Sequence, residues 1–423
     1  MNLILKNARI IDPGRNIDTI GDIGVENAVI ADPGKVTNAR VIDMTGKVVT
    51  PGFIDVHVHL RQPGNTTAET IASGTAAAAA GGFTSVVAMP NTSPAADTAG
   101  AIEYLRQTAA RTGVVRVLPC GCMTKNFAGQ EMAGIGSLKS AGVVALSDDG
   151  KCIQDHSLMR HVVEYAKSFE LPILDHCEDN YLAAGGVMNE GKWSVLLGMN
   201  GMTGAAEELM IARNIILARQ FQWPIHMQHV SVKESVELIR KARAEGIPVT
   251  GEATPHHLSL TDDCIKTYDT NYKMNPPLRS EEDRQALLRA VADGTITAIA
   301  TDHAPHTVTA KLVEFDHAPF GIIGLETALS VTYTELVASG MMELPEFVKR
   351  LTTGPADILR MKDYDLAEGK AADITVFDPE AEYVIDPDTF KSKSRNTPFG
   401  GRRVRCRNIM TIVGGNVVYE YGK

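Results

Sequence analysis

The stretch that decides the fold is "FIDVHVHLRQPG", from Phe53 to Gly64. Its apolar first half predicts a buried β-strand, and its second half places His57, His59 and Arg61 at alternate positions. Alternate side chains leave the same face of a strand, so two imidazoles and a guanidinium are expected to point together from the strand end. Burying such a group is costly unless a metal ion or an anion lies beside it.

Seven more short apolar runs follow this strand and alternate with helical segments. The eight runs begin at Phe53, Thr84, Val115, Val143, Pro172, Pro224, Pro248 and Ile296. Helices are predicted over 157–169 and 231–246, the second with Ser231 as its N-cap and Gly246 just beyond its end. Eight strands that alternate with helices predict an α/β fold, a (β/α)8 TIM-type barrel. Polar residues end most of the runs, at the barrel mouth where this fold builds active sites.

Both ends of the chain carry alternating strand patterns with Gly and Asp turns, for example in 3–12 and 408–420. Neither end alone supplies enough sheet to bury its apolar face. We therefore predict a small flanking β-sandwich domain built from residues 1–50 and 366–423. The barrel domain is predicted over residues 51–365.

The composition restricts the classes of function. The 423 residues carry a formal net charge of -10, which disfavours nucleic acid and anionic membranes as partners. The start, "MNLILKNARI", lacks a signal-peptide pattern, so a cytoplasmic location is expected. The six cysteines form no CxxC pair and predict neither disulfides nor a structural zinc site.

Histidines and aspartates at several predicted strand ends indicate a metal site. They are His57, His59, Asp149, His176, His229 and Asp302. This donor set suits zinc, and six ligands exceed the four that one zinc ion takes, so two Zn²⁺ ions bridged by a carboxylate are expected. A hydroxide shared by such a pair would be a strong nucleophile at neutral pH. Asp149 is the bridging candidate, and Asp148 or a carboxylated Lys151 stays open as an alternative.

Nine motifs together resemble one enzyme family. They are "DVHVHLRQPG", "AMPNTSP", "LSDDG", "DHCED", "QHVS", "TPHHL", "KMNPPLR", "ATDHAPH" and "APFGIIGLET". In this order, and over nearly the whole chain, they resemble class I bacterial dihydroorotases of the amidohydrolase superfamily. An HxH pair alone occurs throughout that superfamily, whereas "RQPG", "NPPLR" and "DHAPH" are specific.

The resemblance implies a reversible cyclisation of N-carbamoyl-L-aspartate to (S)-dihydroorotate and water, in pyrimidine biosynthesis. One implied zinc ion is held by His57, His59 and Asp302, and the other by His176 and His229, with Asp149 as the bridge. Many relatives use a carboxylated lysine as the bridge, but this chain has aspartate at that point, as the class I bacterial group does. The sequence leaves open whether the chain is a homodimer and whether it binds aspartate transcarbamoylase.

Asp302 also suits the role of catalytic proton shuttle between the attacking hydroxide and the ring nitrogen. The resemblance further implies a set of substrate-binding residues. They are Arg61, Asn91, Asn275, His306 and the backbone of Phe320 and Gly321. Among these, Arg61 is expected to hold a substrate carboxylate bidentately.

Three other functions share parts of this pattern. A hydantoinase or allantoinase would have the same fold and metals but would not need Arg61, Asn91 and Asn275. A mononuclear deaminase would leave Asp149 without a bridging role. A non-catalytic homologue would be expected to lack metal ligands, and all the expected ones are present in this sequence.

The remaining polar residues of the motifs are predicted to be structural. One of His256 and His257 is expected to pack or to hold a loop. Arg279 is expected to be a solvated charge at the start of a helix. Glu178 and Asp179 are expected to anchor a loop.

Overall fold

The structure is a computed structural model that describes residues 2–423, and its eighteen strands form three sheets. The first five strands are β1 Leu3–Asp12, β2 Ile17–Glu26, β3 Val29–Ala31, β4 Arg40–Asp43 and β5 Val48–Pro51. The next ten are β6 Phe53–Val58, β7 Phe83–Ala88, β8 Arg116–Cys122, β9 Ala145–Ser147, β10 Ile173–Asp175, β11 Met188–Asn189, β12 Gly201–Met202, β13 Ile225–Met227, β14 Val249–Ala253 and β15 Ala298–Ile299. The last three are β16 Ile374–Val384, β17 Arg403–Val413 and β18 Asn416–Glu420.

Thirteen α-helices connect and cover the strands of the described chain. They are α1 Ile71–Gly81, α2 Ala99–Thr112, α3 Ile135–Ala141, α4 His156–Ser168, α5 Lys192–Leu197, α6 Ala205–Phe221, α7 Lys233–Ala244, α8 Pro255–Ser259, α9 Glu281–Asp293, α10 Val308–Lys311, α11 Ala328–Leu336, α12 Leu344–Leu351 and α13 Thr353–Ile358. The predicted cap of α7 is wrong, because the N-cap is Val232 and the Ser231 hydroxyl contacts Glu207 instead. Gly246 does follow the helix end, with a φ of 75°.

Eight parallel strands form the predicted barrel, in the order β6, β7, β8, β9, β10, β13, β14, β15. The first and last strands meet through a bridge between Val58 and His303, and the His59 N–H donates to the His303 carbonyl at 2.9 Å. The buried Asp55 carboxylate accepts from the Thr301 N–H, at 3.2 and 3.3 Å, and so adds to this closure between the first and last strands, here called the seam. The seam places the end of β6 beside the segment that carries Asp302.

The two chain ends pair with each other, as predicted. Strand β16 lies antiparallel to β5, with Ile374 opposite Pro51 and Val376 opposite Val49. The resulting eight-stranded sheet has the order β18, β17, β16, β5, β1, β2, β3, with β4 also paired to β1. The predicted fold class is therefore confirmed. The division of the chain into one domain from 1–50 with 366–423 and a second domain from 51–365 stays a prediction.

Apolar packing joins the sheet to the barrel. The Phe53 ring, on the first barrel strand, lies 6.1 Å from the rings of both Phe83 and Phe377, measured between centroids. Phe377 belongs to β16 and packs in the same buried cluster as the barrel core. No helix within residues 2–423 is long and apolar enough to cross a membrane.

Candidate metal centre and active site

The six predicted metal ligands come from the carboxyl ends of five barrel strands. His57 lies near the end of β6, and His59 lies just after that strand. The other four residues follow β9, β10, β13 and β15 within three positions. They are Asp149, His176, His229 and Asp302. Because parallel strands end at one rim of the barrel, residues far apart in sequence meet there.

The geometry brings these six side chains into one buried cluster. Three groups each place their ligand atoms within 4.8 Å of one another. The groups are His57, His229 and Asp302; His57, His59 and Asp149; and Asp149, His176 and His229. Asp149, His57 and His229 each belong to two of the three groups, and of these three Asp149 is the carboxylate, which can offer one oxygen to each of two ions. This position is the one that a bridging carboxylate needs.

The distances around Asp149 fit metal coordination. Its Oδ1 lies 3.3 Å from His57 Nε2, and its Oδ2 lies 3.3 Å from His59 Nε2. Oδ1 also lies 3.6 Å from ring nitrogens of His176 and His229. Ligand atoms about 2.0–2.1 Å from one tetrahedral zinc ion are separated by about 3.3 Å. The donor chemistry and the spacing therefore fit zinc.

Outer hydrogen bonds orient two of the imidazoles. His57 Nδ1 lies 2.6 Å from Glu252 Oε1, and His59 Nδ1 lies 2.9 Å from Asn91 Oδ1. Both partners are acceptors, so each Nδ1–H donates outward and each Nε2 faces the cluster. A histidine that ligates a metal commonly has such an outer partner.

Asp149, and not Asp148, faces the site. Asp148 turns away, because its carboxylate accepts from the Met123 and Thr124 N–H groups at 2.8 and 3.2 Å and from the Thr124 hydroxyl. Lys151 is exposed and does not line the cavity. Asp149 is therefore the residue placed to bridge.

The left-handed backbone region holds three of the predicted site residues. The φ angles are 33° at His229, 45° at Asp302 and 56° at Arg61. Residues other than glycine rarely adopt such angles, and those that do cluster at functional sites. The local backbone is therefore bent to aim these side chains.

The predicted placement of Arg61 by strand alternation is wrong. Strand β6 ends at Val58, and the backbone at Arg61 itself is left-handed, with a φ of 56°. The guanidinium reaches the site by another route, since its Nε–H donates to the Pro305 carbonyl at 3.2 Å. Arg61 and the metal-ligand cluster are thus neighbours, as expected, but Arg61 lies beyond the strand, and its left-handed backbone replaces the expected strand alternation.

Electrostatics keep the two carboxylates of the cluster ionised. Burial opposes their ionisation, but the charge of His57 outweighs it, helped by hydrogen bonds from His176 and His229 to Asp149 and from His59 to Asp302. The pKa of Asp149 lies well below the usual range, and the pKa of Asp302 is also lowered. By contrast, burial raises the pKa of Asp148 to about 7.

A cavity of about 250 Å³ opens over the cluster. Ten of the twelve predicted site residues line it: His59, Arg61, Asn91, Asp149, His176, His229, Asn275, Asp302, His306 and Phe320. His57 is fully buried and is not among the lining residues. Gly321 does not line the cavity either, and its N–H and carbonyl are bonded to the Lys273 carbonyl and the Asn396 amide.

One wall of the cavity is a loop fastened by its own hydrogen bonds. His306 Nε2 lies 2.8 Å from the Phe320 carbonyl. Burial, together with the charges of Arg61 and Lys311, lowers the pKa of His306 to about 3, so the ring is neutral and Nε2–H donates. A Cβ on Gly321 would lie 2.6 Å from the Ala304 carbonyl oxygen, which explains why glycine follows Phe320.

Some residues with roles at the site were not predicted, or were predicted wrongly. Glu252, a buried carboxylate on β14, bonds to His57 and to His226 Nε2 at 2.9 Å. In the sequence, Glu252 could have been found as a charged residue inside an apolar strand run. Glu178 does more than anchor a loop, since its Oε2 lies 3.5 Å from His176 Nε2.

The prediction of a solvated Arg279 is also wrong. Its side chain is buried and donates to the Ser231 hydroxyl, the Asn189 amide oxygen and the Met202 carbonyl at 2.9–3.1 Å. The short sheet of β11 and β12, which the sequence did not predict, supplies two of these acceptors. His257 holds a loop, as expected of one histidine of the pair, because its ring contacts the Pro276 carbonyl at 3.0 Å.

Comparison with solved structures places the fold. The L-hydantoinase (dihydropyrimidinase) from Arthrobacter aurescens superposes with a TM-score of 0.89 at 26% identity and covers 100% of this chain and 97% of its own. A D-hydantoinase gives a TM-score of 0.85 at 25% identity, over 99% of this chain and 95% of its own. Both likenesses extend over the barrel and the chain-end sheet.

Sequence comparison gives a closer relationship. Residues 46–235 match the family model described as Dihydro-orotase-like. The dihydroorotase of Endomicrobium trichonymphae is 48% identical over 99% of this chain and 100% of its own length. A dihydroorotase of a Thermoanaerobacter species is also 48% identical, over 99% of this chain and 98% of its own. The chain therefore belongs to the dihydroorotase family, within the amidohydrolase superfamily.

Proposed function

We propose that the chain is a zinc-dependent dihydroorotase of pyrimidine (UMP) biosynthesis, which interconverts N-carbamoyl-L-aspartate and (S)-dihydroorotate plus water. The observation that carries this proposal is the position of Arg61, whose guanidinium lines the same cavity as the metal-ligand cluster. Dihydroorotate joins a cyclic amide to a carboxylate. Its enzyme therefore needs a hydrolytic centre and an anion site side by side.

Two zinc ions are the proposed cofactors. His57, His59 and Asp302 would hold one ion, His176 and His229 would hold the other, and Asp149 would bridge them. When bound, zinc lowers the pKa of water to about 7 and polarises the amide carbonyl. The donor set and the 3.3 Å spacings around Asp149 support this assignment.

Asp302 is the proposed proton shuttle. In hydrolysis it accepts the proton of the attacking water and passes it to the departing ring nitrogen; in the synthetic direction the transfers reverse. The carboxylate is suited to the role because it is ionised and buried, with Oδ1 only 3.0 Å from His59 Nε2. Proton transfer then takes place away from bulk solvent.

Arg61, Asn91 and Asn275 are the proposed substrate contacts, with His306 and the backbone of Phe320. The backbone contact predicted at Gly321 is not proposed, because its N–H and carbonyl are already bonded to the Lys273 carbonyl and the Asn396 amide. The Nε of Arg61 is already bonded to Pro305, which leaves the two terminal nitrogens for a carboxylate. Asn275 Oδ1 is buried without a hydrogen-bond partner within the described chain, so a substrate N–H can satisfy it.

The mechanism predicts the effect of Asp302→Asn. Activity should fall by at least about 100-fold in both directions, because one carboxylate serves both as proton acceptor and as donor. Rates of dihydroorotate hydrolysis and of carbamoyl-aspartate cyclisation would be measured, with zinc content determined in the same samples. A loss confined to one direction would contradict a single shuttle.

A hydantoinase is the second candidate, and the overall likeness to L-hydantoinase favours it. The test is turnover of dihydroorotate against hydantoin and allantoin by zinc-replete protein, followed by absorbance, with zinc measured per chain. We expect dihydroorotate to be strongly preferred and zinc to approach two ions per chain. Preference for an uncharged ring would overturn the proposal.

Further aspects of the function rest on the sequence alone. We expect a small-molecule substrate, no nucleic-acid or membrane partner, and a cytoplasmic location. A homodimer and a complex with aspartate transcarbamoylase are further proposals, which size measurement of the purified protein with and without that enzyme would test.

A further inference from the structure

Two lysines lie buried next to the active site without an acidic partner. Lys273 is 2% exposed and Lys311 is 6% exposed. Within the described chain, the polar contacts of both ammonium groups are backbone carbonyls. A buried charge is costly unless its surroundings satisfy it fully. Packing alone therefore does not account for two charged side chains at these positions.

The carbonyls that they bind belong to two neighbouring segments. Lys273 Nζ donates to Phe315 and Asp316, at 2.7 and 2.9 Å. Lys311 Nζ donates to Thr270 and Pro319, at 3.0 and 2.8 Å, and more weakly to Lys273 at 3.4 Å. The ammonium of Lys273 also lies 4.7 Å from the centroid of the Phe320 ring. Each lysine thus ties the 306–321 loop to the 270–275 segment, and Lys311 also bonds within the loop, to Pro319.

Both segments end in residues that line the active-site cavity. The loop carries His306 and Phe320, and the other segment carries Asn275, two positions after Lys273. The outer side of the loop has little packing of its own, since Leu312 is 74% exposed and Val308 is 57% exposed. The two ammonium groups therefore share the polar attachment of this wall with other hydrogen bonds, such as those from the Gly321 N–H to the Lys273 carbonyl and from the Thr270 hydroxyl to the Lys311 carbonyl.

We propose that Lys273 and Lys311 are positioning residues that hold the 306–321 loop against the substrate pocket, so that His306, Phe320 and Asn275 meet the substrate together. This inference rests on the proposed function. It assigns the lysines no contact with substrate or metal. Their effect should appear in substrate binding and in the mobility of the loop, and metal content should not change.

The protonation chemistry supports the same role. Burial lowers the pKa of Lys273 to about 8, and burial together with the charge of Lys273 lowers that of Lys311 to about 7. The negative charges of Asp316, near Lys273, and of Asp269, near Lys311, only partly oppose these shifts. An ammonium offers three N–H donors, one more than a neutral amine. The attachment should therefore weaken as pH rises through these values.

The test compares Lys311→Met and Lys273→Met with Lys167→Met in the full-length, zinc-replete protein. Lys167 is a matched control, because this exposed lysine also donates to a backbone carbonyl, at 2.8 Å, but far from the site. We expect KM for dihydroorotate to rise about tenfold in the first two variants, because substrate binding must then order a loop that one charged hydrogen bond keeps in place in the unsubstituted protein. kcat and zinc content should stay close to those of the unsubstituted protein.

Hydrogen exchange of the loop amides separates this inference from the proposed function. Faster exchange confined to 306–321 and 270–275 is expected in both variants and not in the control, whatever the substrate proves to be. Faster exchange with unchanged KM, or unchanged exchange, would overturn the inference. If both variants fail to fold, the inference is tested on the unsubstituted protein through the pH dependence of KM. KM for dihydroorotate should rise between about pH 6 and about pH 9, as the two lysines lose their protons. A KM that does not change over this range would overturn the inference.

Discussion

At the residue scale, recognition of the substrate carboxylate depends on Arg61. Because its Nε is bonded to Pro305 and its φ is 56°, the guanidinium is held at a fixed position over the cavity. Arg61→Met should lower kcat/KM for dihydroorotate at least tenfold, since each hydrogen bond to a charged group contributes about 1.5–3 kcal/mol. Steady-state kinetics with dihydroorotate and an uncharged cyclic ureide would measure the change.

Arg61→Lys is the control that keeps the positive charge but removes the planar guanidinium. Lysine supplies a point charge but not a planar pair of donors, so it should restore activity only in part. Zinc content should be the same in both variants, because Arg61 is not among the clustered ligand atoms. If Arg61→Met kept its preference for dihydroorotate over the uncharged ring, the anion site would have to lie elsewhere.

A second prediction at this scale concerns Glu252, which orients His57. Glu252→Gln preserves the size of the side chain but removes the carboxylate that fixes the proton on His57 Nδ1. Loss of such an outer partner weakens metal binding by about 10–100-fold. Competition with a zinc chelator would measure the affinity, and Glu234→Gln, on the surface of α7, is the control. Equal affinities in the two variants would contradict an orienting role.

At the scale of the elements, strand ends explain why so much of the site could be predicted. Hydrophobic runs located the eight barrel strands, and the fold itself brings their carboxyl ends together. Asp149 and Asp148 could not be separated by sequence, because the strand stops at Ser147 and the alternation of side chains stops with it. Arg279 was missed for a related reason: two of its three partners belong to the β11–β12 segment, which has no strong strand pattern.

The loop that carries His306 and Phe320 gives a prediction at the scale of an element. Gly321 has a φ of 152°, and a Cβ there would lie 2.7 Å from His306 Cδ2 and 2.6 Å from the Ala304 carbonyl oxygen. Gly321→Ala should therefore displace His306 and lower kcat/KM while zinc content stays unchanged. Gly369→Ala is the matched control, because that glycine also has a positive φ, 84°, but meets no neighbour within 4 Å. Equal activity in both variants would show that the loop tolerates the displacement.

At the scale of the whole molecule, the barrel and the chain-end sheet pack together, and the sheet itself is built from both ends of the chain. The sheet's apolar cluster takes Leu5 and Val49 from one end of the chain and Val376 and Ile412 from the other. Arg40 and Glu420 add an ion pair between the two ends, with N–O distances of 3.0 and 2.6 Å. The sequence showed the strands at both ends, but their register depends on contacts more than 300 residues apart, which no local pattern contains.

Deletion of residues 366–423 should therefore leave the barrel unable to fold. The deletion removes the partner of β5 and exposes the apolar face of β1, and it also removes Phe377 from its contact with Phe53. We expect insoluble protein, whereas a chain that ends at Glu420, and so lacks only three exposed residues, should stay folded. Calorimetry of the full chain should show one unfolding transition, because cooperative units that share a core unfold together. A soluble, active deletion variant, or two separate transitions, would mean that the barrel stands without the sheet.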